Sequence, residues 1–284
     1  MRMVRRYGLS QKRMVRALAQ MSADARERGI GMTVPVVGSI LTEKRADFLK
    51  SISHERFEIA VHGYRHEDFS ALGVDRLRAD ISKAKETFEG YGFRPSGYRT
   101  PYMRPKDGLA RLLSESGFAY SSSKTVISDR STASNRATLE KSDAMTREIY
   151  GPPLSNPKSI TDGMENGVME IPVSLPDDEV LIDRMGIRDD ELTASILEDV
   201  IRTSLTSVPF AVVQIHPERY LLMRKALLSA VAKLQREGGI GFITLRELSE
   251  FLKSGKQSPS MARNEKFVCV TGDLDIMSLG DLLR

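Results

Sequence analysis

Cysteine and long apolar runs are scarce in this sequence, and both absences narrow the class of protein. Cys269 is the only cysteine, which excludes an intrachain disulfide framework and a thiolate zinc cage. No apolar run approaches the roughly 20 residues of a membrane-spanning helix, so no membrane span is expected. A secretory leader is not recognisable either, and the chain as written is expected to be cytoplasmic.

Charge of one sign is also in small excess. The 42 basic and 38 acidic residues leave a formal charge of +4, which is too small and too dispersed to indicate a nucleic-acid partner. Basic residues crowd the first 16 positions, and we interpret them as a solvated helix face. With 40% apolar and 28% charged residues, the composition is that of a globular protein with a sizeable core.

The spacing of apolar residues predicts strands and helices in alternation. Helices are predicted over residues 10–28, with Ser10 as the N-cap, and over 42–51, 74–89, 106–116, 189–205, 221–237 and a last stretch that ends near 252. Strands or extended segments are predicted over 30–38, 56–61, 96–102, 117–123, 168–175, 210–215 and 240–244. This alternation is typical of an α/β fold with a largely parallel sheet.

Two segments depart from the alternation. Residues 124–166 are rich in Ser, Thr, Asn, Gly and Pro, which is typical of a lid, a binding insertion or a partly disordered loop. Residues 254–265 have the composition of a linker and precede a short strand and helix. We therefore predict a main domain over residues 1–253 and an extension over 254–284.

Polar side chains gather where predicted strands end. In parallel α/β folds, the loops at the carboxyl ends of the strands form the active site. His54 precedes its strand and lies at the opposite end, so we assign it a structural role. The residues that follow strands are His62, His66, Arg99, Asp177, Asp178 and His216.

The residue types leave several chemistries open for this cluster. His62 and His66 can converge on one metal ion if the chain bends at Gly63, and neutral imidazole suits zinc and related metals. His216 by itself is consistent with a satisfied buried histidine and equally with an acid or base. Arg99 by itself indicates a structural ion pair. Asp177 and Asp178, which follow Pro176, by themselves indicate a turn.

Four segments, in this order, resemble the polysaccharide deacetylase family, which includes chitin, peptidoglycan N-acetylglucosamine and nodulation-factor deacetylases. They are GIGMTVPVVG, EIAVHGYRH with the His-x-x-x-His metal motif, GYRTPY with the Arg-x-Pro-x segment, and VVQIHP with the late catalytic histidine. The resemblance covers roughly residues 10–250. It implies a distorted (β/α) barrel and a metal-dependent hydrolase that removes N-acetyl groups from a carbohydrate. His62 and His66 would then bind a divalent metal ion, usually Zn²⁺.

The resemblance also implies the remaining catalytic roles. His216 would be the general acid, and Arg99 would orient the catalytic carboxylate. The backbone N–H of Tyr102 would help to hold the oxyanion. Asp178, or its neighbour Asp177, would orient His216 or tune its charge, as a later family motif does.

One family motif has no counterpart near the start of the chain. The family's first strand ends in two aspartates, the catalytic base and the third metal ligand, whereas only MRMVRRYGL precedes the first predicted helix. We therefore predict a barrel that lacks its first strand. Gly63 also stands where the family most often has Ser or Thr. A site with only two histidine ligands is expected to hold metal weakly or not at all.

Three explanations of the absent aspartates stay open. The chain is a shortened and catalytically impaired deacetylase, or another carboxylate fills the gap, or the protein keeps the pocket only to bind sugar. For the second, the tail strand KFVCVTGDLD ends in Asp273 and Asp275. Pairing of this strand into the open seam of the barrel would bring Asp273 towards the metal.

Overall fold

The computed structural model describes residues 10–154, 164–254 and 266–283 and shows an α/β fold with a mostly parallel sheet. In these residues the strands are β1 Met32–Val36, β2 Phe57–Val61, β3 Gly97–Tyr98, β4 Tyr120–Ser121, β5 Thr125–Val126, β6 Met164–Glu165, β7 Val168–Glu170, β8 Val173–Ser174, β9 Phe210–Gln214, β10 Ile240–Phe242 and β11 Lys266–Thr271. The helices are α1 Lys12–Arg28, α2 Glu43–Ile52, α3 Val74–Gly90, α4 Leu109–Glu115, α5 Arg136–Tyr150, α6 Asp190–Ser207, α7 Pro217–Glu237 and α8 Leu245–Ser254. Short 3₁₀ turns occupy Gly38–Ile40, Phe69–Ala71, Pro101–Met103 and Leu279–Leu283, and Glu179–Arg184 form a π-helical turn. The predicted fold class is confirmed.

The main sheet has the strand order β9–β11–β1–β2–β3–β4–β7–β6, with β10 beside the first residues of β11. Only β6, at the far edge, runs antiparallel to its neighbour among the described strands of this sheet. A separate parallel pair, β5 and β8, contacts β9, where the backbone N–H of Val212 donates to Oγ of Ser174 at 3.3 Å. No backbone ladder joins β8 to β9 in the described part of the chain, so the sheet is not closed into a complete ring.

The C-terminal strand lies inside the sheet. β11 pairs in parallel with β9, where Phe267 is opposite Phe210, and with β1, where Val270 is opposite Met32. The strand pairing on which one of the three open explanations depends is therefore present, and the barrel position predicted to be empty beside β1 is filled. The boundary predicted at residue 254 separates β11 from the main domain in sequence but not in space. The predicted linker, apart from Ser254 itself, falls on residues outside those described.

Apolar strands and the helices packed on them form the core. All five residues of β1 and of β2 are buried, as their near-continuous apolar sequences predict. α1 buries Met14 and Leu18 on one stripe, and it begins after Gln11 as the N-cap rather than Ser10. Gly29, with φ +64°, ends this helix in the left-handed conformation that glycine adopts without strain. None of the described helices is both long and apolar enough to cross a membrane.

The segment 124–166 is predicted to be a lid, a binding insertion or a partly disordered loop, and the last of these is wrong for its middle part, which forms α5. This helix buries Leu139 and Tyr150 against the domain. Its start is fixed by the carboxylate of Asp199 in α6, which accepts a hydrogen bond from the backbone N–H of Asn135 at 2.7 Å. A helix that is anchored by a tertiary contact carries little local signal in a segment of mostly polar composition.

Candidate active site

The carboxyl ends of the parallel strands open into a cleft of about 650 Å³. Residues that follow β2, β3, β9 and β11 meet there, as expected where parallel strands end at one edge of a sheet. This is the place at which the sequence predicts the active site. The cleft is lined by His62, His66, Tyr102, Met103, Arg104, Glu148, Ile149, Tyr150, Glu179, Arg184, Gln214, His216, Asp273, Asp275 and Ile276.

Two imidazole nitrogens and one carboxylate oxygen converge in this cleft. Nε2 of His62 lies 3.5 Å from Oδ1 of Asp275, and Nε2 of His66 lies 3.4 Å from the same oxygen. Nδ1 of His62 is 3.1 Å from the carbonyl oxygen of Arg99. Because a carbonyl can only accept, Nδ1 carries a proton, and in the neutral ring Nε2 then offers its lone pair to the cleft.

A fixed turn after β2 brings the two histidines together. Gly63 has φ +74°, a conformation that glycine adopts without the strain of a side chain. The carboxylate of Asp80 in α3 accepts a hydrogen bond from the backbone N–H of Tyr64 at 2.8 Å and holds the turn in place. The rings of His62 and His66 are therefore neighbours, with 5.3 Å between their centroids.

The three converging atoms fit a divalent metal ion. Oδ1 of Asp275 is buried and has no hydrogen-bond partner among the described residues, although buried carboxylate oxygens normally have one. Its distances to the two imidazole nitrogens match the edge of about 3.4 Å of a tetrahedron with metal–ligand bonds of about 2.1 Å. Burial raises the pKa of Asp275, but His66 and His62 hold it well below its usual range. Burial also lowers the pKa of His66, so the set offers the ionised carboxylate and neutral imidazole that metal binding requires.

Asp273 lies beside these atoms and is held by a buried arginine. Nη1 of Arg99 donates to Oδ1 of Asp273 at 2.8 Å and to Oγ1 of Thr271 at 3.0 Å. The guanidinium is itself fixed by Ser122, whose carbonyl oxygen accepts from Nε at 2.8 Å and whose hydroxyl accepts from Nη2 at 2.7 Å. Oδ2 of Asp273 is 3.7 Å from Nε2 of His62. The carboxylate therefore has a fixed orientation towards the candidate metal ligands.

Gly272 allows the end of β11 to approach β9 closely. A Cβ atom on this residue would lie 2.1 Å from the backbone oxygen of Ile215. Such a distance admits only glycine, which explains the glycine in the sequence TGDLD. The close approach places Asp273 and Asp275 in the same cleft as His216.

His216 is paired with a buried carboxylate. Nδ1 of His216 is 2.7 Å from Oδ1 of Asp178, whose Oδ2 accepts from the backbone N–H of His216 at 2.9 Å and from Nη1 of Arg219 at 3.1 Å. Burial lowers the pKa of His216, but the charge of Asp178 outweighs it and raises the pKa to about 10. Burial raises the pKa of Asp178, but His216 and Arg219 hold it well below its usual range.

The neighbouring aspartate has a different environment. The carboxylate of Asp177 accepts from the hydroxyl of Tyr150 and from the backbone N–H of Val180, the latter at 3.1 Å. Burial, followed by the charge of Asp178, raises the pKa of Asp177 to about 6. Of the two aspartates predicted as partners of His216, Asp178 is the one in hydrogen-bond contact with it.

Tyr102 lies at the rim of the cleft with an unusual backbone conformation. Its φ is +59°, and the φ of Met103, which follows, is +49°. Non-glycine residues in this region are strained and persist only where the surroundings impose the conformation, often at functional sites. The ring of Tyr102 packs edge-on against His66, with 4.5 Å between the centroids. The ring of Tyr102 therefore lies next to one of the candidate metal ligands.

The predicted site residues form one cluster in the structure, with two additions. Asp275, rather than Asp273, is the carboxylate next to both histidines. Gln214 reads as an ordinary strand residue in AVVQI, and no sequence signal marks it, yet its side chain contacts Asp273 and His216. The cluster consists of His62, His66, Tyr102 and His216, which line the cleft, and of the buried Arg99 and Asp178.

His54 lies at the other end of β2, as the sequence predicts. Its Nε2 is 3.1 Å from the carbonyl oxygen of Ser22 in α1, and its Nδ1 accepts from the backbone N–H of Arg56 at 3.2 Å. These contacts tie α1 to the loop before β2. They agree with the structural role predicted for His54.

Comparison with known proteins gives a consistent result. Residues 17–121 match the model of the family described as polysaccharide deacetylase. A peptidoglycan deacetylase-like protein of Gibberella zeae is 30% identical over 109 residues, which cover 34% of this chain and 32% of that protein. The aligned part of the chain thus spans about a third of the length of this relative.

Solved structures share the fold of the chain. A Mycobacterium smegmatis protein assigned to the polysaccharide deacetylases has a TM-score of 0.56 at 20% identity, covering 88% of this chain and 80% of that chain. A CE4 family pseudoenzyme from Bacillus anthracis has a TM-score of 0.50 at 15% identity, covering 89% of this chain and 65% of that chain. The fold is therefore that of the polysaccharide deacetylases. The match to the polysaccharide deacetylase family model, over residues 17–121, agrees with this likeness of fold.

Proposed function

We propose that this protein is a metal-dependent hydrolase that removes an N-acetyl group from a carbohydrate. The observation that carries the proposal is the convergence of His62, His66 and Asp275 on one point, with the carboxylate of Asp273 beside them. Three protein ligands with an adjacent carboxylate that is not needed as a ligand are typical of hydrolytic metal sites. Two imidazoles and one carboxylate are a ligand set that catalytic Zn²⁺ uses in hydrolases.

Each neighbouring side chain then has a chemical task. A bound divalent ion would polarise the acetamide carbonyl and lower the pKa of a coordinated water to about 7. Asp273, oriented by Arg99, takes a proton from the attacking water. His216, whose Nδ1 is held by Asp178, presents Nε2 to the cleft and gives a proton to the leaving amine. The backbone N–H of Tyr102 donates to the oxyanion.

The electrostatics support this division between acid and base. The raised pKa of His216 means that the imidazolium form dominates at neutral pH, as a proton donor requires. Nη1 of Arg99 donates hydrogen bonds to Asp273 and to Thr271, so the guanidinium charge directly faces the Asp273 carboxylate. A protonated imidazole and a carboxylate paired with a guanidinium therefore lie in the same cleft.

The lining of the cleft supports a carbohydrate as the substrate. Arg104, Arg184, Glu148 and Glu179 supply charged donors and acceptors of both signs, which suit the hydroxyl groups of a sugar. The Gibberella zeae relative is named peptidoglycan deacetylase-like, which points to an N-acetylated amino sugar.

A second candidate function is carbohydrate binding without turnover. The similarity to the Bacillus anthracis pseudoenzyme favours it, because that protein has the fold without the activity. A chain of this kind would bind metal and sugar but release no acetate.

The test is acetate release from N-acetylglucosamine oligomers by the zinc-supplemented protein. We expect turnover by the wild type and a loss of at least about a hundredfold in Asp273→Asn, the effect of removing a general base. Asp47→Asn, on the surface of α2, is the matched control and is expected to retain full activity. Turnover that persists in Asp273→Asn would contradict the assigned base, and oligomer binding without acetate release would establish the second candidate.

A further inference from the structure

Gln214 ends β9 at the centre of the site, and its side chain is only 2% exposed. Its Nε2 lies 3.1 Å from Oδ2 of Asp273 and 3.2 Å from Nε2 of His216. Its Oε1 accepts from Nη1 of Arg99 at 3.4 Å. One uncharged amide therefore contacts three residues to which the proposed reaction assigns a task.

The orientation of this amide follows from its neighbours. The carboxylate of Asp273 can only accept, so it requires the NH₂ group on its side, and the guanidinium of Arg99 can only donate, so it requires the oxygen. The NH₂ group of Gln214 consequently faces Nε2 of His216. A donor in this position forms a hydrogen bond with the neutral ring and opposes a proton on Nε2.

We propose, on the basis of the proposed function, that Gln214 is a positioning residue: it fixes the Asp273 carboxylate relative to the His216 ring and favours release of the proton from Nε2 of His216. The charge of Asp178 acts in the opposite direction and retains that proton. An acid held too firmly protonated transfers its proton poorly, and catalytic acids work best with a pKa near the operating pH. Gln214 thus makes the imidazolium a better donor to the leaving amine.

Other charged groups also face His216, and the test must leave them unchanged. The substitution of Gln214 by Met keeps the side-chain length, removes both hydrogen-bonding groups and alters none of these residues. Arg99 keeps Asp273 and Thr271 as acceptors in this variant. The charged groups that face His216 are Asp177 and Asp178 before the π-helical turn, Glu218 and Arg219 in α7, and His66 and Asp275 across the cleft.

The direct readout is the pKa of His216, measured by NMR titration of the histidine ring nitrogens in the full chain. We expect Gln214→Met to raise this pKa by about one unit, a tenfold gain in proton affinity. Gln214→Glu, which keeps an acceptor for Arg99 and turns an oxygen towards Nε2, is expected to raise it further. Thr271→Val, which also changes a contact of Arg99 but does not touch His216, is the control and is expected to leave the pKa unchanged.

The second readout is the pH profile of acetate release. The limb assigned to His216 is expected to move to higher pH in both Gln214 variants, by the shift that NMR measures. A residue with only a structural role would lower stability and move neither readout, and that result would overturn the proposal. If the wild type releases no acetate, the proposed function fails, whereas the NMR titration still decides the role of Gln214.

Discussion

Replacing Asp178 by Asn removes the charge that holds His216 protonated and leaves a side chain of nearly the same shape. The pKa of His216 rises from the ordinary 6.5 to about 10 in the folded protein, against the effect of burial and because of Asp178. At 1.36 kcal/mol per pKa unit, this rise corresponds to about 5 kcal/mol of pH-dependent stability. Removing one partner of a buried ion pair typically costs about 3–5 kcal/mol, which agrees with this magnitude.

The sign of the pH dependence follows from the direction of the shift. A histidine with a raised folded-state pKa contributes its full stabilisation below pH 6.5 and loses it as the pH rises through about 10. Asp178 stays ionised throughout this window because its own pKa is held well below the usual range. We therefore expect Asp178→Asn to be destabilised by about 3–5 kcal/mol at pH 6 and by several kcal/mol less at pH 10.

The assay is urea unfolding of both proteins at pH 6 and pH 10, followed by circular dichroism. Part of the loss in the free energy of unfolding is expected not to vary with pH. The Asn amide replaces a charged carboxylate that accepts from the backbone N–H of His216 and from the guanidinium of Arg219. A double-mutant cycle with His216→Asn supplies the control, since in that background Asp178→Asn has no imidazolium to affect. Equal destabilisation at the two pH values would refute the reasoning that Asp178 acts through the charge of His216.

Two further predictions concern Glu58 and Gly272. Burial raises the pKa of Glu58, although Arg246, Thr33 and Tyr120 favour its ionised form, so its contribution to stability is present at low pH and lost as the pH rises. The free energy of unfolding of the wild type relative to Glu58→Gln should therefore fall between pH 4 and pH 8 in urea unfolding. An unchanged difference would contradict the raised pKa. Gly272→Ala should destabilise the protein by about 1–3 kcal/mol and lower its metal content, because the new Cβ would meet the oxygen of Ile215 at the end of β11. Gly90→Ala, where a Cβ meets nothing within 4 Å, should do neither, and equal effects of the two substitutions would count against the close approach of β11 and β9.

Most of the fold follows from local patterns in the sequence. Strands such as β1 and β2 are nearly continuous apolar runs, and helices such as α3 carry one apolar stripe, so their type and approximate bounds are readable without a structure. The positions of His62, His66 and His216 follow from the rule that parallel strands end at one edge. The helix α5 does not follow, because the contact that fixes its start comes from Asp199, far along the chain.

The complete site depends on a spatial order that differs from the order in the chain. β11 is the last strand in sequence but lies between β1 and β9, and no local signal specifies this neighbour relation. The sequence leads to the hypothesis that Asp273 approaches the metal, whereas the structure places Asp275 against both histidines and Asp273 against Arg99. Gln214 is not predictable at all, because an amide at the end of a buried strand carries no signature of its contacts.

The measurement that tests the central claim most directly is the zinc content and zinc affinity of the full chain and of Asp275→Ala, by elemental analysis and calorimetric titration. The claim is that β11 leads into the third metal ligand, Asp275, next to His62 and His66. We expect about one equivalent of zinc in the wild type, a loss in Asp275→Ala equal to that in His66→Ala, and retention in Asp273→Asn, since catalytic zinc sites use three protein ligands. Zinc binding that is unchanged in Asp275→Ala, or no zinc in the wild type, would contradict the claim.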